Sequence, residues 1–261
     1  MSTMLALRTM QMRALQMRVT TVPDASGRGE TLLVHDVPAL TNLGVLARKA
    51  EAMDPGALMR IRSVAPGSSE DMVAASRPGG IARVWATTPF GPMACRTMSV
   101  TPGRDDMIVR ADAVSAATGD ARSVPQLDAA VPMTLDCGAP ADSSWPGRLP
   151  VDGGWTVLEA VPAAVFRDLE AQARGVAKEE SGPMGLPTSL LDQKVLSVRG
   201  ASSASAEITM REVFALCAMG FIPPEPSADE PVRVSVKARW RRLDGRFGSV
   251  YASEGFGVLP L

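Results

Sequence analysis

Hydrophobic and polar positions divide the chain into two similar series of elements. In the first half, residues 31–37 have the composition of a strand, and residues 38–53 carry apolar side chains at helical spacing. Asp36 stands where a helix start needs a capping carboxylate, and Pro38 lies in the first turn, where a missing backbone donor is tolerated. We therefore predict a strand followed by a helix.

Three strands are predicted after this helix. Residues 81–90 and 93–100 are rich in β-branched, aromatic or other apolar residues, which favours a hairpin. Residues 106–114 alternate cleanly, with Met107 and Val109 on one side and Arg110 on the other. The alternation continues through Ala113, so the pattern predicts a strand over this whole segment.

The second half repeats the order of strand and helix. Residues 155–161 predict a strand, residues 162–180 an amphipathic helix, and residues 194–200 a short strand. A second helix is expected from Thr209, because Thr209 and Glu212 have the spacing of a capping box. This helix is apolar on most sides, so we interpret Cys217 within it as a small buried hydrophobe.

The last segment predicts a strand with one buried face and one basic face. Val232, Val234, Val236, Ala238 and Trp240 alternate with polar residues up to Arg241, and Asp244-Gly245 then indicates a hairpin turn. The basic residues form the candidate binding face: Arg233, Lys237, Arg239, Arg241, Arg242 and Arg246. Such a face binds phosphates or the carboxylates of a protein, or it is a solvated sheet surface.

Two hairpin segments of equal length can be superimposed. Residues 83–100 and 233–250 share Arg-Val at the start and Ser-Val at the end, and a Val-Pro-Ala sequence opens a helix before each of them. This order suggests a duplicated strand-helix-hairpin unit. We therefore expect an α+β fold of antiparallel hairpins packed with helices, with two pseudo-symmetric halves around a shared core.

Composition changes along the chain indicate its organisation. We divide it into an N-terminal tail (1–27) that is poorly ordered or arises from a start codon placed too early, a first half (28–115), a connection rich in proline and glycine (116–152), and a second half (153–261). Trp145 lies in the connection, and a large aromatic residue there predicts that the connection packs onto a core.

Composition excludes several classes of function. The 261 residues carry 27 basic and 28 acidic side chains, so the chain is not a generally polybasic nucleic-acid binder. One histidine, His35, excludes a metal site with two histidine ligands from this chain and makes most hydrolase triads dependent on that residue. Three separated cysteines argue against a disulfide framework and favour a reducing compartment.

Sequence motifs add little chemistry. The chain has no phosphate-binding loop, dinucleotide fingerprint or nucleophile elbow, and we predict neither a cofactor nor a metal site. The adjacent acidic pairs Asp105-Asp106, Glu70-Asp71 and Glu179-Glu180 are interpreted as solvated carboxylates. His35 and Asp36 point to opposite faces if they lie in a strand, so we do not assign them a catalytic pair.

These observations lead to a functional expectation by elimination. We expect a cytoplasmic bacterial protein, non-catalytic, that acts by binding an unidentified protein partner, without a membrane and in an unassigned oligomeric state. We infer a bacterial origin with a high-GC genome, because lysine is scarce while arginine, alanine and glycine are abundant. Two alternatives stay open: binding of nucleic acid or another polyanion through the basic strand 233–246, and a hydrolase that uses carboxylates without histidine.

Overall fold

A computed structural model describes residues 29–64, 80–123, 132–180, 187–201 and 203–253. The strands are β1 (Thr31–Val34), β2 (Leu58–Ser63), β3 (Ala82–Ala86), β4 (Met93–Met98), β5 (Val100–Pro102), β6 (Asp106–Arg110), β7 (Met133–Asp136), β8 (Thr156–Pro162), β9 (Lys194–Arg199), β10 (Ser205–Thr209), β11 (Pro231–Lys237), β12 (Trp240–Gly245) and β13 (Gly248–Ser253). The helices are α1 (Val37–Met53), α2 (Ala111–Arg122), α3 (Ala163–Glu180), α4 (Thr188–Leu191) and α5 (Met210–Ala218), with a 3₁₀ turn at Asp142–Ser144.

One antiparallel sheet of eight strands organises the fold. Its order is β6-β2-β3-β4-β13-β12-β11-β8, so the first half supplies four strands and the second half the other four. The halves meet where β4 pairs with β13, with Cys95 opposite Ser249 and Met93 opposite Tyr251. Two smaller sheets, β5-β1-β7 and β10-β9, complete the described part of the fold. The expected α+β class is confirmed.

The eight-stranded sheet has the same connections when it is followed from either edge. An edge strand leads directly into a helix on each side, β6 into α2 and β8 into α3. In the first half, β1 and α1 lead into the next three strands, β2-β3-β4. In the second half, β10 and α5 lead into β11-β12-β13 in the same way. The expectation of two pseudo-symmetric halves is therefore confirmed, with β4 and β13 on either side of the pseudo-twofold axis.

The repeat predicted from the sequence does not match this symmetry residue by residue. Residues 83–100 contain β3 and β4, whereas residues 233–250 begin with β11 and β12, and the symmetry pairs β3-β4 with β12-β13. The two Val-Pro-Ala sequences also open helices that do not correspond, α1 and α3. The reason is that the halves carry equivalent elements in a permuted order, which an alignment in chain order does not follow.

Helices cover one face of the large sheet, which we call the inner face. Met59, Val84, Val234, Leu243 and Val250 point towards it and belong to the main hydrophobic core. Burial of these apolar side chains is the dominant favourable term in folding. Across the described residues, none of the helices combines the length and the apolar character needed to cross a membrane.

Both predicted helix starts are confirmed. The Asp36 carboxylate accepts a hydrogen bond from the backbone N–H of Ala39 at 2.6 Å. The Glu212 carboxylate accepts the backbone N–H of Thr209 at 2.8 Å, which is half of the predicted capping box. In each case a side-chain oxygen satisfies a backbone donor that the helix itself leaves without a partner.

The prediction for residues 106–114 is wrong in the extent of the strand. The strand predicted over residues 106–114 ends at Arg110, and α2 begins at Ala111 with buried residues at Ala111, Val114, Thr118 and Ala121. Ala111 fits both the alternating and the helical pattern, so the alternation did not reveal the change of structure. Residues 116–152, predicted to be a connection, therefore contain the end of α2 and also β7, which pairs with β1. The division into segments at 28–115, 116–152 and 153–261 otherwise stays a prediction, and residues 1–27 lie outside the described residues.

The predicted basic strand is in fact a hairpin. β11 ends at Lys237, and β12 begins at Trp240 and pairs back with β11. Ala238 lies between them with φ 49°, in the left-handed region that non-glycine residues rarely adopt. Alternation continues through this turn by coincidence, because Ala238 and Trp240 are both apolar.

Gly245 allows the β12–β13 turn to approach the segment that follows α5. A Cβ at this position would lie 2.7 Å from the carbonyl oxygen of Phe221. We expect Gly245→Ala to lower the free energy of unfolding by about 1–3 kcal/mol, because the clash is with backbone and not with a movable side chain. Urea unfolding followed by circular dichroism measures the change.

Gly119 provides the matched control within α2. A Cβ there meets nothing within 4 Å, so Gly119→Ala should raise the stability by up to about 1 kcal/mol through helix propensity. Equal effects of the two substitutions would contradict the close approach at Gly245.

Candidate interaction surface

The face of the sheet opposite the helices, the outer face, carries a second hydrophobic cluster. Its buried members are Trp85, Met93, Cys95, Trp240 and Tyr251. The Trp85 and Tyr251 ring centroids lie 4.6 Å apart. Burial raises the pKa of the Tyr251 hydroxyl, so this side chain stays neutral. The cluster spans the junction of the two halves, because Trp85 and Tyr251 come from different halves.

The segment that joins the halves crosses this outer face. We call residues 141–155 the strap. It begins at the β6 edge, where the Ala141 backbone N–H donates to the Ile108 carbonyl at 2.8 Å, and it ends at β8. Trp145, Leu149 and Trp155 pack from the strap against the aromatic cluster. The prediction that Trp145 packs on a core is confirmed.

Charged side chains of the sheet hold the second part of the strap. Arg83 on β3 forms an ion pair with Asp152. The Lys237 ammonium donates to the carbonyls of Val151 at 3.0 Å and Asp152 at 3.2 Å, and also to that of Gly153. Gly153 and Gly154 have φ angles of 67° and 68°, a conformation that glycine adopts at low cost. The strap is thus fixed to the sheet by directed polar contacts as well as by its aromatic residues.

The six candidate basic residues lie in different environments. Arg241 points to the inner face and bonds the carboxylate of Glu212 at 2.8 Å, whereas Arg242 points to the outer face. The Arg242 guanidinium pairs with Asp244 at 3.0 Å and lies 4.8 Å from the Trp155 ring centroid. Adjacent strand residues point to opposite faces, so the two arginines do not share one binding surface.

The remaining four basic residues also separate. Lys237 holds the strap, and Arg246 pairs with Glu230 at 3.3 Å in the β12–β13 turn. Arg233 and Arg239 are exposed, and among the described residues neither has a hydrogen-bonding or ionic partner. The sequence identified the residue types correctly as basic. It did not reveal that four of the six are engaged within the protein.

A corner of the outer face combines exposed apolar and basic side chains. Val151 on the strap is 74% exposed and Val157 on β8 is 52% exposed. Val157 lies opposite Ser235 on β11, and Ser235 is two residues after Arg233, so both point to the outer face. Arg239 lies in the turn that follows Lys237 at the end of β11. We call Val151, Val157, Arg233 and Arg239 the corner patch. The sequence did not mark Val151 and Val157 as candidates, because exposure of a single valine cannot be read from its neighbours in the chain.

A groove of about 390 Å³ opens at the other end of the strap, and its charges are paired internally. It is lined by Arg60, Arg104, Asp106, Ile108, Asp142, Trp145 and Gly147. Arg60 donates to both oxygens of Asp106, at 2.8 and 2.6 Å, and Arg104 donates to both oxygens of Asp142, at 2.7 and 2.8 Å. The hydrogen bonds that Arg60 donates to the Asp106 carboxylate raise the pKa of Arg60. A charged ligand would have to replace these bidentate pairs.

His35 and the carboxylates have structural partners. The His35 Nε2 atom lies 2.8 Å from the Thr101 hydroxyl and accepts the Gly80 backbone N–H at 3.1 Å. Asp36 caps α1, and Glu170 on α3 pairs with Arg167 and Arg174. Asp106, from one of the acidic pairs, is held by Arg60. Within the described ranges, no three histidine, cysteine or acidic residues come together as metal ligands.

Comparisons with known family models give matches for both halves, to domains of unknown function. Each half of the chain matches one family model. Residues 28–147 match a domain of unknown function (DUF8010), and residues 150–257 match another (DUF8185). The two matches meet within the strap. No curated protein matches the sequence.

Several solved structures have a distant likeness to this chain. The DNA polymerase III β subunit of Thermotoga maritima is 11% identical, with a TM-score of 0.47 over 88% of this chain and 66% of that one. The sliding clamp of Bartonella birtlesii is 13% identical, with a TM-score of 0.47 over 89% of this chain and 66% of that one. Caulobacter crescentus polymerase III β gives 13% identity and a TM-score of 0.46, over 88% and 67%. We base no function on these likenesses.

The buried Arg241–Glu212 pair provides a stability test of the basic residues. The Glu212 side chain is 1% exposed and that of Arg241 is 12% exposed. Arg241→Met should lower the free energy of unfolding by about 3 kcal/mol, because it leaves a carboxylate buried without its cation. Urea unfolding measures this loss.

Arg246 is the matched control for Arg241. Its side chain is 61% exposed in its pair with Glu230, so Arg246→Met should change the stability by less than about 1 kcal/mol. A comparable loss in both variants would show that Arg241 is not distinguished by burial.

The three cysteines should be unreactive in the folded protein. All are buried, and burial raises the pKa of the Cys137 thiol to about 12 and also raises that of Cys217. A thiol with a raised pKa stays protonated at neutral pH, and the thiolate is the reactive form. A chromogenic disulfide reagent at pH 8 should titrate the cysteines only after denaturation. Rapid reaction of the native protein would contradict this arrangement.

Proposed function

We propose that the protein is a non-catalytic cytoplasmic protein of a bacterium that binds another protein through the corner patch. The observation that carries the proposal is that two strongly exposed valines lie around β8 and β11 together with two exposed arginines that have no ionic partner among the described residues. Three buried free thiols are consistent with a reducing compartment.

The apolar part of the patch suits a protein partner. Val151, Val157, Val176 and Phe247 are the large apolar side chains that stand out as exposed in the described part of the chain. Two of these four belong to the corner patch, and the other two lie on α3 and in the β12–β13 turn. Isolated exposed apolar residues are ordinary, but a group of them with a polar rim is typical of an interaction site.

The rim of the patch supports a partner with acidic side chains. Arg233 and Arg239 are exposed and lack a carboxylate partner among the described residues. A guanidinium group binds a carboxylate through two parallel hydrogen bonds, which gives both affinity and orientation. We therefore expect aspartate or glutamate residues on the partner around an apolar centre.

The attachment of the strap supports the same proposal. Val151 lies on backbone that Lys237 holds through three carbonyls, and its neighbour Asp152 is paired with Arg83. A surface that is already ordered loses less conformational entropy when a partner binds. The patch is thus suited to binding without rearrangement.

Nucleic-acid binding through residues 233–246 has less support. Lys237, Arg241, Arg242 and Arg246 are engaged in contacts within the protein, and Arg241 lies on the opposite face. Binding to phosphates depends on several cations that lie along one surface. The carboxylate hydrolase has less support for a similar reason, since the buried carboxylates Glu170 and Glu212 are held by arginines.

The test compares capture of partners by matched variants of the full chain. Tagged wild-type protein, a Val151→Asp/Val157→Asp double variant and a Val176→Asp control are each exposed to lysate of the native host. Val176 is 46% exposed on α3, away from the patch. A partner enriched by the wild type should fall at least about tenfold with the double variant, because a charge is introduced into an apolar contact, and should stay with the control.

Two results would overturn the proposal. One is that no protein is enriched above the tag alone, and the other is that every enriched protein is retained equally by the double variant. Thermal unfolding of each variant establishes that the loss does not come from misfolding.

A further inference from the structure

The groove at the start of the strap keeps its charges in balance. Its lining includes two arginines, Arg60 and Arg104, and two aspartates, Asp106 and Asp142. Each arginine donates two hydrogen bonds to one of the aspartates. A phosphate or carboxylate ligand would compete with the aspartates for these arginines, and an ammonium ligand would compete with the arginines. The lining therefore favours a ligand without net charge.

The charges next to the groove preserve this balance. Arg62 lies 3.4 Å from Asp106, and Glu30 lies 2.7 Å from Arg104, so the network gains one charge of each sign. The hydrogen bonds to Asp106 and the attraction of Asp142 both raise the pKa of Arg60, which shows that the two pairs lie close enough to act on each other. Ordered side chains of this kind lose little conformational entropy when a ligand binds.

The paired side chains keep hydrogen-bonding capacity that the protein does not use. Arg60 and Arg104 donate through Nε and Nη2, and the Nη1 group of each has no acceptor among the described residues. An ionised carboxylate offers about four acceptor positions, and the described donors fill only part of them on Asp106 and Asp142. Unused donors and unused acceptors therefore occur together in one groove.

Hydroxyl groups match this combination, because each donates one hydrogen bond and accepts two. The rest of the lining includes two apolar side chains, Trp145 and Ile108, and the Arg60 guanidinium lies 5.7 Å from the Trp145 ring centroid. Apolar side chains gain dispersion contacts with the C–H groups of a sugar ring. The groove volume of about 390 Å³ lies in the range of small-molecule sites, roughly 300–1,000 Å³.

We propose that this groove binds a neutral sugar of one or two rings. The sugar hydroxyls donate to the two aspartates and accept from the Nη1 groups of the two arginines, and both ion pairs stay intact. The groove and the corner patch lie at different ends of the strap. The inference therefore goes beyond the proposed function and does not depend on it.

The experiment titrates the full chain with neutral sugars and with charged sugars of the same rings. The neutral set is glucose, galactose, mannose, N-acetylglucosamine and maltose, and the charged set is the corresponding uronic acids and amino sugars. Amide chemical shifts are followed by NMR. At least one neutral sugar should bind with a dissociation constant of about 1–5 mM or lower, and the shifts should centre on Asp142 and Gly147. Its charged counterparts should bind at least about tenfold more weakly.

Two matched substitutions test the role of the groove carboxylate. Asp142→Asn keeps the side-chain shape and should weaken the neutral sugar at least about fivefold, because an amide oxygen is a weaker acceptor than a carboxylate. Arg104 then loses part of its counter-charge, so the uronic acid should bind this variant more tightly than the wild type. Asp112→Asn is the control, since Asp112 forms a similar pair with Arg110 outside the groove and should leave the binding of every sugar unchanged.

Three outcomes would overturn the proposal. The first is that none of the neutral sugars gives saturable shifts at the groove, and the second is that a charged counterpart binds as tightly as the neutral sugar. The third is that Asp142→Asn and Asp112→Asn affect binding equally. None of these outcomes bears on the corner patch, whose variants are tested by capture of a protein partner.

Discussion

The antiparallel pairing of β4 with β13 is the constraint on which the rest of the structure depends. These two strands are central in the large sheet and come from different halves of the chain. Their register places Ala94 opposite Val250 on the inner face, and both side chains are buried in the main core. On the outer face the same register brings Tyr251 beside Trp85 and creates the cluster that the strap covers. The core, the aromatic cluster and the position of the strap all follow from this one junction.

Contacts across the helices support the junction. Lys49 on α1 donates to the Ala218 carbonyl at the end of α5 at 3.1 Å, where the helix dipole favours a positive charge. Arg211 on α5 donates to the Phe90 carbonyl at 2.9 Å, and the Phe90 and Phe214 rings stack with centroids 5.6 Å apart. The two halves are therefore joined on both sides of the sheet, so that the strap and β10 are parts of one body.

Local chemistry in the sequence predicted local structure well. Asp36 and Glu212 were identified as helix-capping residues from their spacing alone, because capping depends on neighbours in the chain. The turn at Ala238 was missed, because no glycine, proline or asparagine marks it and the alternation of apolar residues continues across it. The start of α2 was missed because Ala111 fits both the two-residue period of a strand and the 3.6-residue period of a helix. The α+β class and the two related halves were predicted, whereas the order of strands in the sheet depends on pairing between distant segments.

The candidate site shows the same limit. The sequence grouped six basic residues into one face, but Arg241 and Arg242 are neighbours in β12 and therefore point to opposite sides of the sheet. Their partners, Glu212 and Asp244, differ in burial, which only the tertiary structure determines. Val151 and Val157 became candidates because the strap and β8 expose them, and exposure of a single valine leaves no pattern in a sequence.

The pseudo-twofold axis between β4 and β13 has a consequence for the independence of the halves. In an isolated first half, β4 would be an edge strand whose backbone N–H and C=O groups lack the partners that β13 provides, and the apolar surface beside it would be exposed. Since β13 meets β4 in antiparallel orientation about a twofold axis, a second copy of the same half has the geometry to replace it. Separated halves would thus tend to form homodimers, and the two halves of the chain are arranged like the subunits of such a dimer.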